Sequence, residues 1–166
     1  MDARRHSDLI PMKNITKVER KSDREVVVTR SFDAPARLVF EAWSEPELFK
    51  RWWVPKSMGM TLRSCEMDVR TGGRYRLGFG DGMDFFGRYL EVTPPSRIVW
   101  TNEEGGDNGS VTTVTLTEQD GKTLLVMSEL YPSKEALDAA GAGAADATHE
   151  TFGQLDELLV ELASAS

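Results

Sequence analysis

Glu129 and His149 are the residues whose types could do acid–base chemistry. Glu129 follows the apolar run Leu124 to Met127, so a strand could carry its carboxylate beside a nonpolar interior. A carboxylate held there has a raised pKa through desolvation and can act as a general base. His149 lies one residue past the apolar stripe of a C-terminal helix, where an imidazole can reach a cavity mouth as an acid or base. Each has a plainer reading: a strand-end surface charge for Glu129, a half-exposed helix residue for His149. The plainer readings are the commoner ones for charged and polar side chains.

Arg74 and Arg76 are two residues apart and share one face of a strand. Pointing inward, they could pair with Glu129 or hold a ligand carboxylate bidentately. Pointing outward, they are solvated, and the rarity of buried unpaired arginine favours that orientation. Arg76 is retained as a ligand-binding candidate.

Metal and nucleotide chemistry find no matching pattern. His149-Glu150 opens like HEXXH, but position 153 is Gly153 rather than a second His. His6 is the only other histidine and Cys65 the only cysteine, so no metal site is expected. Cys65 reads as a small buried hydrophobe, with no His beside it in sequence to make it a nucleophile. There is no GXGXXG or Walker pattern, and no cofactor is expected.

The aromatic residues suggest a cavity wall instead. Trp52 and Trp53 end a short helix; one is expected in the core and Trp53 at the cavity. Phe85, Phe86, Tyr89 and Trp100 fall on adjacent strands, where alternation lets only some face inward. Plain core packing is the commoner role for such rings. The expected ligand-binding set is Trp53, Arg76, Phe86, Tyr89, Trp100, Met127 and Phe152. The seven methionines would let such a cavity accept varied shapes.

These residues need elements to position them. Ile15 to Arg20 and Arg24 to Phe32 read as two strands around a polar turn, the second carrying β-branched Val26, Val27 and Val28. Asp33-Ala34-Pro35 reads as a helix start, with Leu38, Val39, Ala42 and Trp43 at helical spacing. Ser44-Glu45-Pro46-Glu47 has the form of a capping box for a second short helix, ended by Pro55.

Residues 60–131 then read as six strands: 60–69, 74–80, 84–93, 97–103, 110–118 and 122–131. The turns between them lie at Gly72-Gly73, Gly80-Asp81-Gly82, Pro94-Pro95-Ser96, Gly105 to Gly109 and Asp120-Gly121. Connections this short make neighbouring strands antiparallel.

From Ser133 one helix is expected to about Ala163, loosened at Gly141 and Gly143. Thr148, Phe152, Leu155, Leu159 and Leu162 form its buried stripe, while Glu150, Gln154, Glu157 and Glu161 face out. Gly153 is read as a place where a neighbour approaches closely.

The expected fold is therefore α+β: a curved antiparallel sheet wrapped around a long C-terminal helix, with two short helices after the early strands. Residues 1–14 are expected as a loose tail and 15–163 as one domain. A sheet curved around one helix leaves a natural cavity between them.

Bulk properties narrow the partners. The chain has 166 residues and a formal net charge of -7, which argues against a phosphate-binding groove. Arginines between Arg63 and Arg97 are nearly balanced by Glu66, Asp68, Asp81, Asp84 and Glu91. One cysteine allows no internal disulfide, which suits a reducing compartment. The N-terminus lacks an apolar leader segment, and no apolar run approaches the roughly 18 residues of a membrane span. The expectation is a cytoplasmic protein with no membrane span and no nucleic-acid partner.

The segments DREVVVTRSFDAPARLVFEAWSEPELFKRWW, CEMDVRTGGRYR, GRYLEVTPPSRIVWT and THETFGQLDELL resemble activator-of-Hsp-ATPase-like proteins of the wider START-like (SRPBCC) superfamily. The resemblance spans residues 15–163. It implies a helix-grip fold with a hydrophobic cavity. Members of the superfamily bind lipids, hormones or polyketides, act as cyclases or hydrolases, or protect against antibiotics, and the eukaryotic namesake stimulates a chaperone ATPase.

Three functions follow as expectations. The first is binding of a small apolar or amphipathic molecule. The second is an enzyme acting on a hydrophobic substrate through Glu129 and His149. The third is an interaction domain that modulates a chaperone ATPase. A homodimer is compatible with all three.

Overall fold

The computed structural model describes residues 16–59, 61–79, 84–103, 109–140 and 143–165. The expected tail at 1–14, the turn at 80–82, most of the turn at 105–109 and the helix-loosening residue Gly141 lie outside the described residues. One eight-stranded antiparallel sheet is built from β1 (Lys17–Arg20), β2 (Glu25–Phe32), β3 (Ser64–Met67), β4 (Arg74–Gly78), β5 (Asp84–Thr93), β6 (Arg97–Thr101), β7 (Val111–Gln119) and β8 (Lys122–Leu130). Its order is β1-β2-β8-β7-β6-β5-β4-β3. The meander of β3 to β8 is thus closed onto β2 by the β2–β8 pair, in which Val28 meets Met127 and Phe32 meets Thr123.

The Asp120-Gly121 hairpin forms because both residues adopt positive φ, 56° and 78°. A type I′ turn demands that backbone, and Gly pays no Cβ penalty there. The helices are α1 (Ala36–Ser44), α2 (Pro46–Trp52), α3 (Lys134–Ala140) and α4 (Gly143–Ala165). The helical region expected at the C-terminus is described as α3 and α4, on either side of residues 141–142, which lie outside the described residues.

Neither expected N-terminal cap is made by the residue that sequence suggested. Pro35 occupies the cap of α1 in extended backbone, and the Ala36 N–H donates to Glu118 Oε1 at 2.9 Å. The fold brings the end of β7 to the helix, so a carboxylate distant in sequence satisfies the free amide. Ser44 belongs to α1, and Glu45 takes the α2 cap without a side-chain bond. Glu47 instead pairs with Lys50 at 2.9 Å.

The C-terminal helix lies over β2 and α2. Phe152, Leu155, Leu158 and Leu159 are buried, and Phe152 meets Phe32 edge-on at 5.5 Å between centroids. Arg30, on the inner face of β2, reaches Asp156 with both guanidinium amines, at 3.1 and 2.7 Å. Gln154 does not face out as expected: it is buried, donates to Trp52 O and Val54 O, and accepts from Lys56 N. The reason is that Pro55 removes a helical continuation, leaving carbonyls and an amide that only a side chain can satisfy. Glu150 adds a second tie to this turn by accepting from Ser57 Oγ and N, which lowers its carboxyl pKa. The close approach expected at Gly153 is absent; a Cβ there would meet nothing within 4 Å.

Candidate functional site

A cavity of about 260 Å³ lies between the two short helices and the β3–β6 half of the sheet. The α1 helix supplies Trp43; α2 and the residue after it supply Phe49 and Trp53. The sheet supplies Met67, Tyr75, Leu77, Phe85, Tyr89, Ile98 and Trp100, with Asn102 just past β6. None of these side chains carries a charge at neutral pH. The sequence places them by alternation: Tyr75 and Leu77 on β4, and Phe85 and Tyr89 on β5, sit at even spacing and share the inner face. Gly87 between the two β5 residues is required by close approach, because a Cβ would stand 2.0 Å from Thr101 O.

The gap persists because its walls are rigid rings. Trp43 contacts Trp53 and Trp100 at centroid distances of 5.9 and 5.7 Å, and Phe49 stacks on Trp53 at 4.8 Å. Rings braced at such angles cannot bend to fill a void as an aliphatic chain can. Trp52 lies behind them, fully buried, its indole N–H donating to Ala42 O at 2.9 Å. Trp53 stands at the cavity and Trp52 in the core.

The polar groups of the lining differ in their state. At one end Tyr75 Oη donates to Thr101 O at 2.7 Å, and Asn102 Nδ2 donates to Ser110 Oγ and Thr112 Oγ1 at 2.9 and 3.1 Å. Ser110 Oγ in turn donates to Glu129 Oε2 at 2.8 Å. These groups are engaged. By contrast, the buried Trp43 Nε1 has no hydrogen-bond partner among the described residues. Tyr89 is 5% exposed, and burial, helped by nearby Cys65 and Asp68, pushes its phenol pKa far up. Its hydroxyl therefore stays neutral.

The cavity does not lie where the sequence suggested. No described side chain of α4 lines it; the helix packs on α1 and α2 and meets β2 through Phe152 and Asp156. Of the expected ligand-binding residues, Trp53, Tyr89 and Trp100 line the cavity. Phe152 is core, 1% exposed against Phe32 and Trp52. Met127 faces inward from β8 but packs on the core away from the lining.

Arg76 and Phe86 stand on the outer face of the sheet, the guanidinium 5.2 Å over the ring and 3.3 Å from Asp84. The cause is parity: Phe86 is an odd number of residues from Tyr89, so Phe85 takes the inner position. Arg74 is likewise exposed.

The acid–base candidates do not converge. His149 is exposed on α4. Glu129 is half-buried and engaged by Ser110 and by the Tyr131 hydroxyl, and it is linked to the cavity lining through Ser110 and Asn102. Cys65 is half-buried rather than buried, with its thiol pKa raised by burial and its Sγ 3.5 Å from Met67 Sδ. Among the described residues no group of three or more His, Cys, Asp and Glu could hold a metal ion. No helix among them is long and apolar enough to cross a membrane.

Sequence reasoning missed Trp43, Tyr75 and Asn102. Trp43 was visible only as one apolar position on a helix. Even spacing from Leu77 was the signal that could have found Tyr75.

A curved antiparallel sheet closed by a C-terminal helix, with an apolar cavity under two short helices, is the START-like helix-grip class. The chain belongs to the Activator of Hsp90 ATPase homolog 1-like protein family, whose pattern matches residues 33–160. Among solved structures it is similar to a Rhodobacter sphaeroides protein at 24% identity, covering 92% of this chain and 100% of that one with a TM-score of 0.77. A Nitrosomonas europaea protein is similar at 23% identity, covering 87% and 99%, with a TM-score of 0.75. An HSP90 activator from Plasmodium falciparum is similar at 20% identity over 65% of this chain and 73% of that one, with a TM-score of 0.53. These likenesses establish the fold. No curated protein matches the chain.

Proposed function

We propose that this protein binds a small, uncharged, mostly apolar molecule in the cavity between α1–α2 and β3–β6. The observation that carries the reading is a cavity of about 260 Å³ whose lining is aromatic and aliphatic and holds no charged side chain. Apolar surface leaving water for such a space gains roughly 25 cal/mol per Å². An engineered apolar cavity of about 150 Å³ suffices for benzene. The larger space here suits a molecule of one substituted ring or two fused rings.

The enzymatic reading would need a reactive group at the lining, and the carboxylate and imidazole proposed for it stand elsewhere. The chaperone reading rests on the family description and on a fold shared with an HSP90 activator, and nothing in the cavity speaks for it.

Three of the four tryptophans border the cavity, so occupancy should change their fluorescence. Titration with naphthalene should give a saturable change. Leu77→Phe, which fills the space from β4, should abolish that change while the fold is retained. A titration with no saturation, or equal binding by the filled variant, would sink the proposal. Native mass spectrometry of protein purified gently from its own host would then identify the natural occupant.

A further inference from the structure

The outer face of the sheet, turned away from the cavity, carries a pattern of its own. The register aligns Val27, Ser128, Thr113 and Val99 in one row across β2, β8, β7 and β6, and Thr29, Val126 and Thr115 in the next. Alternation puts these side chains outside, because their neighbours Val28, Val114, Leu125 and Ile98 fill the core. Leu130 and Leu124 stand towards the two ends of β8 on the same face, 42% and 41% exposed. From β2 to β7 neither row holds a charged side chain, although 28% of the chain's residues are charged. The uncovered side of an antiparallel sheet is ordinarily polar, so a broad face without charge points to something that covers it.

The rows end in charges of opposite sign. The first ends in Glu19 on β1 and Glu91 on β5, the second in Lys17 on β1 and Arg97 on β6. Within the chain Lys17 pairs with Glu19 at 3.7 Å and Arg97 with Glu91 at 3.2 Å. A two-fold axis crossing the strands between the rows exchanges one row for the other. It sets Lys17 over the Glu19 of a second copy, brings Glu91 beside that copy's Arg97, and lays Leu124 on Leu130. The face is thus complementary to itself, as an isologous interface requires.

We propose that this face is a homodimer interface, in which two copies pack sheet on sheet about that axis. Two chains of formal net charge -7 repel over most of their surfaces, and the uncharged rows are where they can meet. The strands from β1 to β5 in sheet order, at the usual spacing and rise, span roughly 600 Å² in projection. Projecting side chains raise the accessible area towards the ~800 Å² per partner of a standard interface.

The test uses the full chain. Sedimentation velocity at micromolar concentration should find wild type dimeric. Thr113→Glu and Thr115→Arg each add a charge next to the axis and should weaken the dimer at least about hundredfold, because that charge is buried against an uncharged surface. Mixing the two variants should restore the dimer, since the axis puts position 113 of one copy over position 115 of the other. Naphthalene binding in the cavity should be unchanged in both, which separates this inference from the binding function. In wild type, carbodiimide coupling of mixed unlabelled and isotope-labelled chains should join Lys17 of one copy to Glu19 of the other.

A monomeric wild type would overturn the proposal; cross-links from Lys17 to Asp2 or Asp8 of the same chain would then give the face to the N-terminal segment. Dimers undisturbed by both substitutions would place the interface elsewhere. Variants that dissociate and are not restored by mixing would overturn the two-fold arrangement. Thermal melting checks that loss of the dimer is not unfolding, and the wild-type cross-link decides the matter if a variant fails to fold.

Discussion

The two halves of the sheet face the same side and solve opposite problems. Beneath α4 and α1, the inner faces of β2, β7 and β8 are filled by Phe32, Val114, Leu116 and Leu125, each 4% exposed or less, with Phe152 of α4 against Phe32. A charged group on that face, Arg30, is neutralised in place by Asp156. Under α1 and α2, the inner faces of β4, β5 and β6 leave a cavity, and the buried Trp43 N–H has no partner among the described residues. The packed half uses mainly flexible aliphatic side chains around single rings, and these close ranks. The cavity half uses four aromatic rings from α1, α2 and the residue beside it, and from β6, which brace one another before they fill the space. One half maintains the fold; the other keeps room within it.

The comparison breaks most clearly under truncation. Phe152→Ala in the packed half should cost about 3–5 kcal/mol, as for other buried aromatic residues. Trp53→Ala, removing a half-buried ring from the cavity half, should cost about 1–2 kcal/mol but remove most naphthalene binding. Urea denaturation and the fluorescence titration read the two effects separately. Equal stability losses, or binding lost in Phe152→Ala while it remains folded, would end the division of labour.

A pH series sharpens the same contrast at intermediate size. In the unfolded chain Tyr89 ionises near pH 10. In the fold, burial holds the proton on to much higher pH. The folded state therefore binds more protons above pH 10, and stability should fall as pH rises, by up to about 1.4 kcal/mol per pH unit from this group. Stability contributed below pH 10 is unaffected. Urea midpoints between about pH 9 and 11 should fall less steeply for Tyr89→Phe than for wild type; parallel curves would show that the cavity wall does not resist the charge.

The smallest expected effect is a gain. Gly153 sits within α4 and a Cβ there meets open space, so Gly153→Ala should stabilise by about 0.5–1 kcal/mol through helix propensity. Naphthalene affinity should stay unchanged, since α4 contributes no described residue to the lining. A loss of stability would mean that the glycine serves a contact after all.

Much of the frame was legible because its signals are local. β-branched runs, glycine turns and the Asp120-Gly121 hairpin act over a few residues, and the strands form where these signals lie. The parity of β5 was also available: once Tyr89 faces inward, Phe86 cannot, and Phe85 must. The caps were misread because their partners are distant in sequence, as with Glu118 at the start of α1. Gln154 was misread because its demand came from the broken backbone around Pro55, not from its own helix.

The sequence by itself determined the element types, the antiparallel meander and the uncharged character of the aromatic candidates, since each depends on neighbours within one element. Only the tertiary structure decided where the empty space falls. The cavity is what remains after rigid side chains from six elements have met, and no single element encodes that remainder. The same meeting leaves Trp43 Nε1 without a partner among the described residues while Trp52 finds a carbonyl, a difference set by position in three dimensions between two residues of one chemical type.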